Sequence, residues 1–169
     1  MNPIPEELGT VNPALRTAVL IVAGEDSAPD RSFDAIRHYF GGYYEQIIFM
    51  TIGLVDYQVM DDVPGSQIGT AVRHTAQGAV TTSLNRALRS GMSAVTCVAI
   101  GTDPAEEVER LSLEVVRRFP TAMFFLGKLV FQNQKWYHPL LHSRMGDAIQ
   151  RRLERRGLPV TILPVVVPA

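Results

Sequence analysis

Donor, aromatic and titratable side chains are concentrated in one interval late in the chain, between positions 128 and 143. They are Lys128, Lys135, Trp136, Tyr137, His138, His142 and Ser143. Lysine and histidine hold anions, histidine also transfers protons or binds metals, and aromatic rings stack on flat ligands. This interval is therefore the first candidate for a binding site.

The pattern around this interval predicts a strand, a loop and a helix. Residues 122–126 form an apolar run that stops at Gly127, and a later apolar series has helical i, i+4 spacing. Its members are Leu141, Met145, Ile149 and Leu153. A helix that begins beside a strand end points unpaired N–H groups and its positive dipole end at the loop, which favours an anion there.

Three interpretations of the two histidines stay open. His138 and His142 lie four residues apart at the predicted helix start, so their rings share one helical face and could bind a transition metal. Alternatively, both histidines could surround a phosphate or carboxylate together with Lys128 and the helix amides. In the third interpretation Trp136 and Tyr137 pack the loop onto the sheet, and the histidines bond local carbonyls.

A second polar group directly follows the first predicted strand. It consists of Gly24, Glu25, Asp26 and Ser27. Glu25 and Asp26 could bind a ribose hydroxyl or act as acid and base, whereas Asp26 or Ser27 could simply cap the following turn. Gly53 ends the second predicted strand. Because parallel strands end at one edge of a sheet, we expect these residues to share a hollow with Gly127.

Five strands are predicted to alternate with four helices. Short apolar runs bounded by glycine or proline predict the strands at residues 17–23, 45–53, 93–101, 122–126 and 160–167. The four helices are predicted in the intervals between them. We expect Asp30 or Ser32 to cap the first helix, residues 55–70 to form a long surface loop and residues 71–90 to form one long helix. Asp103, followed by a proline, is the expected cap of the third helix.

This alternation predicts a doubly wound α/β fold. Strands separated by helices run parallel with right-handed crossovers, which gives a five-stranded sheet of order 3-2-1-4-5 with helices on both faces. Residues 1–16 are expected to form an extended arm or linker, and residues 17–169 one domain. Pro164 removes a backbone donor and therefore places the last strand at a sheet edge. An apolar open edge invites pairing, so we expect a homodimer through Val160–Val167.

Composition narrows the classes of function. The 169 residues carry a net charge of −1, which gives no overall electrostatic reason to expect nucleic acid or an anionic membrane as a partner. The arginines just before Gly157 fit the negative end of a helix dipole. No run approaches the roughly 20 apolar residues that cross a bilayer, so we expect no direct membrane insertion. Cys97 lies in an apolar run, as expected of a buried thiol in the cytoplasm. No motif for a catalytic nucleophile is present, and an enzyme is not expected.

Two stretches carry a resemblance to known families. IVAGEDSAPDRSFDAI resembles the first strand and turn of universal stress proteins. GTDPAEEVERLSLEVVRRFPTAMFFLGKLVF and KWYHPLLHSRMGDAIQRRLERRGLPVTILPVVV are more similar to the cytosolic C-terminal domain of bacterial amino acid, polyamine and organocation permeases. This resemblance implies a non-catalytic regulatory or ligand-sensing domain, dimeric through its last strand, with the membrane portion of a transporter as a partner.

The universal stress protein resemblance also implies a nucleotide site. Its signature after the fourth strand is G-x2-G-x9-G-[ST], in which backbone amides hold phosphates. Gly127 matches the first position, and Val130 stands in place of the second glycine. Ser143 supplies the final hydroxyl only if the match is shifted, with His142 at the glycine position. The alternative to a regulatory domain is thus an ATP-binding universal stress protein with slow hydrolysis, and a third is a phosphoester-handling enzyme.

Overall fold

A computed structural model describes residues 11–22, 28–54, 65–131 and 144–167. Five parallel strands form one sheet of order β3-β2-β1-β4-β5. The strands are β1 (Thr17–Val22), β2 (Gln46–Leu54), β3 (Ser93–Gly101), β4 (Met123–Phe131) and β5 (Val160–Val167). The helices are α1 (Pro29–Phe40), α2 (Gly65–Gly78), α3 (Thr81–Arg89), α4 (Pro104–Arg118) and α5 (Arg144–Arg155). The predicted α/β class and strand order are confirmed.

Alternate residues of each strand face two separate cores. On one face, α4 and α5 cover Ile21, Ile48 and Leu126. On the other face, α1 and α3 cover Leu20 and Phe49. Both cores are apolar because buried parallel strands consist of nearly continuous hydrophobic runs. We call these sides the α4/α5 face and the α1/α3 face.

The helix starts were predicted with mixed success. Asp103 caps α4 as expected, because its carboxylate accepts hydrogen bonds from the Ala105 and Glu106 amides at 2.9 and 3.1 Å. The predicted cap of α1 is wrong, since Asp30 and Ser32 both lie inside the helix. Pro29 occupies the first turn, where its fixed φ and missing N–H cost nothing, and this moves the helix start ahead of both polar residues.

The single helix predicted at residues 71–90 is two helices. Turn residues after Gly78 separate α2 from α3, and α2 begins at Gly65, inside the region predicted as a loop. The apolar spacing continues across the break, which is why it suggested one helix. After the break the buried face of α3 is formed by Ser83 and Ala87, whereas Leu88 of the predicted stripe is exposed.

The fourth strand continues past its predicted end. β4 includes Gly127 and remains paired with β5 as far as Phe131. A glycine in a strand interior weakens the strand without ending it, because the neighbouring strand still offers hydrogen-bond partners. The last helix is described from Arg144 onward, so the predicted start near Leu141 lies outside the described residues.

β5 lies at a sheet edge, as predicted from Pro164. The Phe124 amide donates to the Pro159 carbonyl at 3.0 Å, which fixes the side of the strand that faces β4. Backbone groups of successive residues point to opposite sides, so the groups of Pro164 point away from β4. The nitrogen of Pro164, which carries no hydrogen, therefore faces the open edge of the sheet. The ladder between β4 and β5 consequently loses no hydrogen bond at this residue.

Candidate functional site

The sheet reverses its winding between β1 and β4. The chain passes from β1 to β2 on one side and from β4 to β5 on the other, so this is the topological switch point. Among the residues that the structure describes, the last β1–β4 pair is Ile21 with Leu126, and β4 stays paired with β5 from Gly127 to Phe131. In open α/β sheets ligands bind where neighbouring strands diverge in this way. The candidate site is therefore the carboxyl edge beside Gly127, the edge at which the strands end, and we call this place the β1–β4 crevice.

Gly127 and Lys128 lie in the strand and not in a loop. Gly127 is in register with Leu163, and Lys128 with Pro164. Consecutive strand residues point to opposite faces. Gly127 therefore lies on the α1/α3 face, and the exposed Lys128 side chain lies on the α4/α5 face. The two expected site residues flank the crevice from opposite sides.

Gly53 has a packing role that the sequence does not reveal. It is buried in β2, and a Cβ placed on it would lie 2.3 Å from Val72 Cγ1 and 3.3 Å from the Val72 carbonyl oxygen. Carbon atoms cannot approach so closely, so only glycine lets α2 contact the end of β2. The helix occupies the space that a ligand would need in order to reach Gly53 from this face.

The first turn of α1 contributes a cation to the carboxyl edge. Its N-cap, Ala28, has φ 38° and ψ 67° and supplies no side-chain cap to the helix amides. Within the same first turn, the exposed Arg31 donates from Nη1 to the Val166 carbonyl oxygen at 3.2 Å. This bond ties the start of α1 to the carboxyl end of β5, on the same face as Gly127. An anion held there would interact with both the guanidinium group and the helix dipole.

The acidic side chain at the same turn serves helix packing. Asp30 accepts a hydrogen bond from Ser83 of α3. Arg86 donates to Asp34 at 2.5 Å and lies 4.0 Å from Asp30, and the hydrogen bond to Asp34 raises the pKa of Arg86. These groups join α1 to α3. Two carboxylates face one guanidinium in this group, so it carries one excess negative charge, and Arg31 is a separate cation at the α1 start.

One buried hydroxyl lacks a partner. Thr51 of β2 is 2% exposed, and its Oγ1 is the one buried side-chain nitrogen or oxygen within the described ranges that makes no hydrogen bond. It lies on the α1/α3 face between Val22 and Val98, its neighbours in register. An unpaired buried hydroxyl costs about 1–3 kcal/mol.

Several expected site residues lie outside the described residues. They are Gly24, Glu25, Asp26, Ser27, His138, His142 and Ser143. In the part of the chain that the structure covers, no three histidine, cysteine or acidic side chains converge as metal ligands would. Within that same part, no helix combines the length and the apolar character that a bilayer crossing requires.

Sequence reasoning missed two features of this edge. Arg31 contacts Val166, which is 135 positions away in the sequence, and no local pattern of residues predicts such a contact. The sequence did contain a weak indication that α1 lacks a side-chain cap. Pro29 is typical of a first helical turn, and the alanine before it has no polar side chain that could accept from the helix amides.

Comparison with protein-family models and with curated proteins finds no match to this chain.

Proposed function

We propose that the chain is a non-catalytic regulatory domain that senses a small anion or nucleotide. It would act in the cytoplasm, in the manner of the permease C-terminal domains that its sequence resembles, beside the membrane portion of a transporter. The observation that carries the proposal is the switch point at Gly127, where the described β1–β4 pairing has ended at Leu126 while β4 stays paired with β5.

Cations on both sides of this crevice favour an anionic ligand. Arg31 approaches from the α1/α3 face, and Lys128 is exposed on the α4/α5 face. The uncapped start of α1 adds backbone donors on the side of Arg31. Phosphate groups accept several charge-assisted hydrogen bonds at once, so a phosphate or a nucleotide fits this set of donors. A sensing role requires only that ligand binding stabilises one arrangement of the edge.

The open edge of β5 supports a homodimer. The backbone groups of Val160 and Ile162 point away from β4, by the alternation that starts at Pro159. Arg31 already binds the outward carbonyl of Val166, and Pro164 offers no donor. Pairing is thus confined to the first half of the strand. In a symmetric dimer that continues the sheet we expect the two β5 strands to run antiparallel, because a two-fold axis along parallel strands would place identical backbone groups opposite each other.

Amide hydrogen exchange tests the dimer. The amides of Val160 and Ile162 should exchange rapidly at low protein concentration and become protected as the concentration rises. The amides of Leu163 and Val165 face β4 and serve as matched controls, protected at every concentration. A monomer by sedimentation at micromolar concentration, with Val160 and Ile162 never protected, would contradict the dimer.

Fluorescence tests the ligand. Trp136 is the sole tryptophan and follows β4 in the sequence, so its emission should change when inorganic phosphate, AMP or ATP with magnesium is titrated. Arg31→Gln should weaken binding about tenfold, the loss expected for one charged hydrogen bond. Arg37→Gln, at the other end of α1, should leave binding unchanged. Micromolar binding of ATP with slow hydrolysis would instead favour the universal stress protein alternative. Indifference to all three ligands, in emission and in thermal stability, would refute a sensing role.

A further inference from the structure

The amino edge of the sheet, at which the strands begin, has an unusual surface. Helices in this fold run antiparallel to the strands, so their last turns lie at this edge. Three exposed arginines lie in the last turns of α1, α3 and α4, namely Arg37, Arg89 and Arg117. No carboxylate of the described residues lies within ion-pair distance of these guanidinium groups. Helix dipoles explain why cations are found here.

Dipoles do not explain the apolar side chains at the same edge. Tyr39 is 58% exposed, Tyr43 is 53% exposed and Leu88 is 49% exposed. Arg16 lies over the Tyr43 ring, 4.8 Å from its centroid. We define the amino-edge surface by these three apolar side chains together with Arg37, Arg89 and Arg117. It joins the ends of helices from both faces of the sheet.

The acidic residues close to this surface are mostly neutralised. Glu45 accepts from Arg16 at 3.3 Å, and Glu114 accepts from Arg110 at 3.0 Å. Glu154 is exposed in the last turn of α5 and accepts a hydrogen bond from Gln150 at 2.8 Å. The amino-edge surface therefore carries a local positive charge, although the net charge of the chain is −1.

We propose that the amino-edge surface docks on the headgroup region of an anionic membrane. Exposed cations attract acidic lipids, and tyrosine and leucine side chains enter the boundary between headgroups and acyl chains. The inference rests on the proposed function only in placing the domain beside a membrane. A nucleic acid would use the cations but would gain little from Leu88, so the mixed surface favours lipid.

The test measures co-sedimentation of the chain with vesicles. It should bind phosphatidylcholine vesicles that contain about one third phosphatidylglycerol, and not phosphatidylcholine alone, with binding lost at high salt. Each cation at such a surface changes partitioning roughly fivefold. The double variant Arg89→Gln with Arg117→Gln should therefore bind about 25-fold more weakly. Arg73→Gln with Arg144→Gln removes the same charge from exposed sites toward the carboxyl edge and should bind as the unaltered chain does.

A second variant separates lipid from other polyanions. Tyr39→Ser with Leu88→Ser keeps every charge and should still weaken vesicle binding severalfold. Unchanged vesicle binding by this variant, or equal losses in the two arginine pairs, would overturn the proposal, as would no binding to anionic vesicles. None of these results bears on the crevice, which is tested by phosphate titration without lipid. In an antiparallel β5 dimer, the two amino-edge surfaces lie at opposite ends of the dimer. Each could then bind a different vesicle, so the dimer should also link vesicles together and raise the turbidity of the vesicle suspension.

Discussion

Replacing Thr51 by valine should stabilise the protein. The two side chains have nearly the same shape, and the substitution removes a hydroxyl that is 2% exposed and makes no hydrogen bond. Burying such a group without a partner costs about 1–3 kcal/mol. Thr51→Val should thus raise the free energy of unfolding by about 1–2 kcal/mol. For a chain of this size, that corresponds to an increase in Tm of several degrees, at about 2–4 °C for each kcal/mol.

Thr17 provides a matched control at the start of the neighbouring strand. It is equally buried, but its hydroxyl donates to the Leu15 carbonyl at 2.9 Å and accepts from Gln46 Nε2 at 2.5 Å. Thr17→Val removes both bonds, although Gln46 Nε2 keeps its hydrogen bond to the Asn12 carbonyl at 2.7 Å, and it should lower the free energy of unfolding by about 1–3 kcal/mol. The same change of side chain is therefore expected to have opposite signs at the two sites.

Urea unfolding of the two variants measures both signs. The slope m should stay constant, because neither change alters the surface exposed on unfolding, so the midpoints report stability directly. Destabilisation by both substitutions, to a similar extent, would mean that the Thr51 hydroxyl is satisfied in the folded protein, and it would refute the reasoning from its missing partner.

Three further predictions concern glycine packing, pH and helix termination. Gly53→Ala should cost about 1–3 kcal/mol because its Cβ would overlap Val72 Cγ1, and adding Val72→Ala should recover part of that loss in a double-mutant cycle of urea midpoints. Hydrogen bonds, first from Arg156 and then from Arg152, lower the pKa of Glu109. Its charged form is favoured on folding, so this contribution is complete above about pH 4.5, the ordinary value, and is lost as the pH falls through the lowered pKa. The Glu109→Gln variant should therefore lose less stability than the unaltered protein in acid titrations below that pH. Gly157 has φ +70° after α5, so Gly157→Ala should cost about 1 kcal/mol, whereas Gly146→Ala inside α5, with open space around it, should gain roughly 0.5–1 kcal/mol in thermal unfolding.

Local signals predicted most of the scaffold. The apolar runs gave β3 and β5 their observed bounds, and Asp103 with Pro104 marked the start of α4 because cap, proline and dipole effects all act within one turn. Pro164 located the edge strand from a single missing donor. The errors arose where two local signals competed. The helix breaks after Gly78, although the apolar spacing of the sequence continues past that point. Gly127 looks like the end of a strand, and only its pairing with β5 shows that the strand continues.

The candidate site was less predictable because its parts are distant in sequence. The contact of Arg31 with Val166 and the approach of Val72 to Gly53 both depend on how helices lie on the sheet, which residue spacing does not encode. The amino-edge surface was hidden for a similar reason. The net charge of −1 does not show where the charged residues lie on the folded surface. The positions of Arg89 and Arg117 at one edge of the sheet become visible only in the structure.

The most direct test of the crevice follows backbone amide resonances while inorganic phosphate or a nucleotide is added. An anion held at the uncapped start of α1 and beside β4 should shift the amides of Asp30, Arg31 and Gly127, and it should leave those of Tyr39 and Arg89 at the opposite edge unchanged. Shifts confined to the amino edge, or no shift with any of these ligands at concentrations that change Trp136 emission, would contradict the account.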